Sequence, residues 1–291
     1  MISKEAKYVE TIFRCLGMRK VFSKMILKPK RKPHLKKPPK RIFKKYRVES
    51  SEISGQNCYS LKRTENTKKH IIYFHGGAYA LQAQRIHWKI IEHLLDKASY
   101  EITLVNYPLV PEYTCSETIA IAGEVYSSLC KIKDKETILI GDSSGGGLAL
   151  ALAQYIKAKG LQPKPEKIVL FSPWLDVSMA NDISKEQEGK DLLLSKETLI
   201  AAGKRYAGEC DMKDYRCSPL YGDITQLGEI ALFVGTSEIL HNQAMELRDK
   251  FQSYGQSISF FEYEQMQHVW VGFPIPEAKK ALDEAISFIN R

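Results

Sequence analysis

None of the six cysteines in this 291-residue chain forms a C-x-x-C pair, and no zinc-type spacing occurs among them. No secretory leader is expected before them: Arg14, Arg19 and Lys20 break up the apolar residues between Val9 and Met25 too soon for a signal core or a membrane span. Reduced thiols in a cytoplasmic protein are therefore the expectation. Neither an H-E-x-x-H pair nor an EF-hand loop is present, so no metal and no cofactor is expected. No internal repeat is visible. The glycine run at Gly145-Gly146-Gly147 is followed by no G-K-[ST], which argues against a phosphate cradle.

Acid is missing from one stretch altogether. Residues 28–47 hold eleven Lys/Arg and no Asp or Glu, whereas the whole chain carries a net charge of +9. The basicity is thus local, which argues against a global nucleic-acid-binding surface. Three readings of 28–47 compete. A solvated linker is preferred, because prolines break the segment and nothing apolar repeats. A peripheral tether to anionic membrane lipid or another polyanion would use Ile42, Phe43 and Tyr46 among the charges. A nucleic-acid arm is the third.

An apolar fraction of 44% supports a sizeable core. Strand patterns near 70–75, 102–106, 137–141, 167–171, 230–234 and 257–263 alternate with helical stretches near 84–98, 115–133, 144–159, 241–254 and 276–290. Such alternation predicts an α/β fold with a mainly parallel sheet covered on both faces. The expected organisation is an N-terminal cap helix and basic linker over 1–48, then a catalytic domain over 49–291. A helix near 4–26 and an insertion near 178–215 are expected to form a small cap.

Residues 141–147 read Gly-Asp-Ser-Ser-Gly-Gly-Gly between the strand pattern ending at Ile140 and the helix pattern beginning at Leu148. A turn this short forces Ser143 into a strained conformation with its hydroxyl beyond the sheet. The pattern alone is weak, so partners decide. Residues 71–79 form an apolar strand ending in His75-Gly76-Gly77, whose backbone amides can approach a tetrahedral oxygen. The oxyanion hole is assigned to the N–H groups of Gly76, Gly77 and Ser144, and His75 is read as a brace for the loop.

Serines on such elbows precede first an acid and then a histidine in the chain. Only His241 and His268 follow Ser143. His268 lies between the last strand pattern and the closing helix, where ligands meet open parallel sheets; His241 begins a helix pattern. His268 is the base candidate. Glu238 follows the buried strand pattern Ile230–Val234 and is the preferred acid. Asp176 is its rival, with a structural role the better reading. Tyr79 and Trp270 are candidate pocket linings, though aromatic residues there could equally be core.

Taken together, the chain resembles the hormone-sensitive-lipase-like carboxylesterases of the α/β-hydrolase superfamily. The elements carrying the resemblance are His75-Gly76-Gly77-Ala78, Asn106 to Glu112, Gly141 to Gly146, Ser172 to Asp176, Gly235 to Leu240 and Gln267-His268. They occur in family order over about four-fifths of the chain. The resemblance implies Ser143 as nucleophile, Glu238 as acid and His268 as base, in agreement with the placement argument. The acid is Glu where Asp is commoner, Ala78 stands where glycine is frequent, and Tyr113-Thr114-Cys115 replaces an aromatic–proline pair. These departures bear on substrate preference and remove no catalytic group. The expectation is a serine carboxylesterase for small to medium acyl esters of a small-molecule substrate. An amidase or formamidase with the same triad, or a non-catalytic ligand-binding protein on the same fold, stays open, as does self-association.

Overall fold

Strand β1 (Arg47–Ile53) is polar and largely exposed, whereas the strands at the centre of the sheet are apolar on both faces. The computed structural model describes all residues except 1, 33–36, 66, 134 and 181–182. Its strands continue as β2 (Gln56–Lys62), β3 (Lys69–Phe74), β4 (Tyr100–Val105), β5 (Glu136–Asp142), β6 (Lys167–Phe171), β7 (Glu229–Gly235) and β8 (Ser259–Tyr263). They form one sheet in the order β1-β2-β4-β3-β5-β6-β7-β8. The β1–β2 and β2–β4 pairs are antiparallel, and every other pair is parallel.

Both faces of the sheet from β3 through β7 are buried, as the continuous apolar runs demand. Ile71 and Tyr73 of β3 point to one face, where they pack with α4 (Arg85–Lys97) and α10 (Pro276–Asn290). Ile72 and Phe74 point to the other, which is covered by α5 (Cys115–Lys133), α6 (Ser144–Lys159) and α9 (His241–Ser253). Each such side chain contributes about 1.5–3 kcal/mol by leaving water. The α/β architecture read from the periodicity is the one observed.

Three features differ from expectation. The β1–β2 hairpin was not expected; its two-residue turn, Ser54-Gly55, has both φ values positive at 50° and 73°. The N-terminal helix is two, α1 (Lys4–Cys15) and α2 (Met18–Leu27), because Gly17 between them takes φ 59°. The basic stretch is not a linker throughout: its residues 40–46 pack on the core. Its α3 (Lys40–Lys45) buries Ile42 completely, and Tyr46 is buried just after it. Of the three residues considered for lipid contact, only Phe43 is exposed. Residues 33–36 of that stretch lie outside the described residues.

Within 178–215 the chain forms α7 (Lys185–Lys190) and α8 (Lys196–Ala207). Helix α2 lies against α8, with Thr198 Oγ1 and Ser23 Oγ 2.8 Å apart and the Arg205 guanidinium donating to the Leu27 carbonyl at 2.8 Å. Asp191 ties this region to the core, accepting from the amides of Leu193 (2.8 Å) and Leu194 (2.9 Å) through Oδ1 and from Ile239 (2.9 Å) through Oδ2.

Candidate active site

Adjacent strands in the middle of the sheet bring the site together. Helix connections leave β3 and β5 toward opposite faces, so a crevice opens at their carboxyl ends. Phe74 and Gly141 are register partners there, and the loops that follow carry Gly76-Gly77 and Ser143. Ser143 sits at φ 53°, ψ −124°, on the elbow between β5 and α6. The elbow is held by the Ser143 amide donating to the Phe171 carbonyl at 2.9 Å and the Ser143 carbonyl accepting from Trp174 at 2.9 Å. A Cβ on Gly141 would run into the Gly145 backbone, and one on Gly145 into the Phe74 carbonyl. Both glycines are therefore steric requirements of the turn.

Ser143 Oγ lies 2.8 Å from His268 Nε2, and His268 Nδ1 lies 2.9 Å from Glu238 Oε2. The other Glu238 oxygen accepts from the Gly235 amide at 2.6 Å and the Ser172 hydroxyl at 2.8 Å. All three residues are at least nine-tenths buried. With Glu238 accepting at Nδ1, the tautomer leaves Nε2 free to accept the serine proton. Burial pushes the Glu238 carboxyl up, opposed by its hydrogen bonds from His268, Gly235 and Ser172. Burial alone would lower the His268 imidazole, but the hydrogen bond and charge of Glu238 outweigh it and raise it above the ordinary histidine value.

Ser144 opens α6, so its N–H has no partner within the helix. The Gly76 and Gly77 amides flank the same space, and none of the three donates to a carbonyl among the described residues. Gly77 takes φ 131°, and the next two residues, Ala78 and Tyr79, are also at positive φ, so the loop turns sharply under the elbow. His75 Nδ1 lies 2.8 Å from the Gly76 carbonyl oxygen and its ring stacks on Tyr107, whose hydroxyl donates to the His75 carbonyl at 2.7 Å. Burial, then the nearby His87, pushes the His75 imidazole down to about 3, which keeps it neutral.

Asp176 does not approach His268. It accepts from Ser178, Ala180 and Tyr221 and organises its own loop. His241 pairs with Glu262 at 2.7 Å on the surface side. Tyr79 and Trp270 do not line the cavity above Ser143. The Tyr79 ring stacks on Tyr206 with centroids 3.5 Å apart, and Trp270 is fully buried against Tyr263.

That cavity, of about 450 Å³, is walled instead by Phe13, Met18, Phe22 and Ile26 from the N-terminal helices and by Leu193, Leu194 and Leu199 from the α7–α8 region. Ser143 and His268 form its floor. These wall residues were not singled out in the sequence, where they sit in two amphipathic stretches more than 160 residues apart. Asp142, beside Ser143, was also passed over. It accepts from the Tyr73 hydroxyl at 2.6 Å and faces His87 Nε2 at 3.4 Å. Burial would raise its carboxyl, but His87 and Tyr73 outweigh that and hold it low. Among the described residues no cluster of His, Cys, Asp and Glu is arranged to hold a metal ion, and no helix is long and apolar enough to cross a membrane.

Residues 71–272 match the α/β-hydrolase fold family, a span that includes the elbow, the Gly76-Gly77 loop, Glu238 and His268. The chain belongs to that family. It is similar to an esterase of Acinetobacter venetianus, 32% identical over 246 residues that cover 81% of this chain and 79% of that one. An acetyl-hydrolase of Streptomyces hygroscopicus is 30% identical over 224 residues, covering 76% and 75%. A crystal structure of an esterase from the bacterial hormone-sensitive lipase family superposes with a TM-score of 0.84 at 22% identity, covering 99% of this chain and 98% of that one. At that identity the likeness is one of fold.

Proposed function

We propose that this ester hydrolase is a serine carboxylesterase acting on small to medium acyl esters through an acyl-enzyme. The observation that carries the reading is the relay Ser143–His268–Glu238, with spacings of 2.8 and 2.9 Å, on the floor of an apolar cavity. Ser143 attacks the ester carbonyl as His268 takes its proton, and Glu238 stabilises the imidazolium. The amides of Gly76, Gly77 and Ser144 receive the developing oxyanion, each such donor being worth about 3–4 kcal/mol of barrier. His268 then protonates the leaving alcohol and activates the water that clears the acyl group. The relatives named esterase and acetyl-hydrolase support ester cleavage.

Hydrolysis of p-nitrophenyl acetate, butyrate and octanoate by the native protein and by Ser143→Ala tests this. Turnover should fall by several orders of magnitude in the variant, up to about a million-fold. Equal rates in both proteins would remove Ser143 from the mechanism. Faster cleavage of matched amides than of esters would move the assignment to an amidase.

A further inference from the structure

Between Leu16 and Arg47 the chain has fourteen Lys/Arg and no acid. Nine of these cations fall into two groups. Arg41 pairs with Glu92 and Arg47 with Glu65, each at 2.7 Å, and Lys45 pairs with Asp96. Arg31 is clamped by Glu112 at 2.7 Å and by the carbonyls of Ala80 and Val110. By contrast Lys20, Lys24, Lys28, Lys30 and Lys32 are exposed, and none has an acidic partner among the described residues.

The free group has a shape. At 100° per residue, Lys20, Val21, Lys24, Met25 and Lys28 fall within about 140° of arc on α2. All five are exposed, Val21 by 42% and Met25 by 37%, and Leu16 at the preceding turn is 63% exposed. The opposite arc carries Met18, Phe22 and Ile26, which wall the cavity over Ser143. Met25 and Lys32 line that cavity while being exposed, so its mouth opens beside the basic face.

A face that mixes ammonium groups with exposed apolar side chains, and carries no acid, complements a negatively charged surface with hydrocarbon behind it. A nucleic acid would answer the charges but leave Leu16 and Val21 in water. We propose that the outer face of α2, with the Leu16 turn and the lysines that follow as far as Lys32, docks the molecule on an anionic lipid surface with the cavity mouth beside the lipid. The docking stands apart from the hydrolytic reading, because binding is read without substrate.

The test is co-sedimentation with vesicles of phosphatidylcholine alone or with phosphatidylglycerol added, at low and high salt. The native protein should pellet only with the phosphatidylglycerol vesicles and be released by salt. The K20E/K24E/K28E variant should bind them more than about tenfold more weakly, with unchanged hydrolysis of soluble p-nitrophenyl acetate as evidence that it is folded. The L16S/V21S variant keeps every charge and should also bind more weakly; it decides the matter if the triple variant is unfolded. Binding to both vesicle types alike, or to neither, overturns the proposal. So does undiminished binding by a folded triple variant or by L16S/V21S, the latter marking a plain polyanion site.

Discussion

Glu238 accepts three hydrogen bonds with two oxygens, and each comes from a different part of the chain: Gly235, Ser172 and His268. Glu238→Gln would put an amide donor among these donors and favour the His268 tautomer that cannot accept from Ser143. In the proposed mechanism kcat then falls by up to about ten-thousandfold. The pH profile gives a second readout. His268 must be neutral to act, and Glu238 raises its pKa, so activity should be lost as pH falls through a limb lying above the ordinary histidine value of 6.5. In Glu238→Gln the residual limb should shift to lower pH, and a limb that stays put would remove Glu238 as its cause. These residues were legible because each follows a strand pattern, and side chains there gather at one edge of a parallel sheet. Tyr79 and Trp270 were not. Both follow loop residues at positive φ, Ala78 at 53° and Val269 at 54°, and local reversals of that kind leave no mark in hydrophobic periodicity.

Most helices could be read from their 3.6-residue period and the parallel strands from short apolar runs. The β1–β2 hairpin could not, since β1 is largely exposed, with only Val48 and Ile53 half-buried among charged and polar residues. Only the Ser54-Gly55 turn could have betrayed it. The basic stretch misled for a related reason: a single apolar residue, Ile42, anchors α3, and one residue has no period. Ile42→Ala should cost about 2–5 kcal/mol in urea unfolding, as for other buried aliphatic truncations. A free linker would show no loss. The apolar cavity walls also belong to this scale, coming largely from α1, α2, α8 and the segment just before α8. Leu194→Trp should reduce hydrolysis of the octanoate ester much more than that of the acetate, whereas equal effects would place the acyl chain elsewhere.

Across the whole molecule, the first and last described helices meet. The Ser3 amide and hydroxyl donate to the Glu277 carboxylate at 2.6 and 2.8 Å, and the Gln267 amide donates to Glu10 at 3.0 Å. Glu277→Ala should therefore raise amide exchange in α1 while leaving that of β5 unchanged, as read by hydrogen–deuterium exchange. Uniform change across the chain would mean global destabilisation instead. The link between Ser3 and Glu277 spans 274 positions of sequence. Closure over such a span comes after local structure has formed. For a chain emerging from the ribosome this sets an order of assembly. Ser143 is made more than 120 positions before residues 268 and 277, which lie within ten positions of each other. In the proposed mechanism a nascent chain that has reached Ser143 alone therefore lacks both its base and Glu277, the anchor of the first helix that walls the cavity.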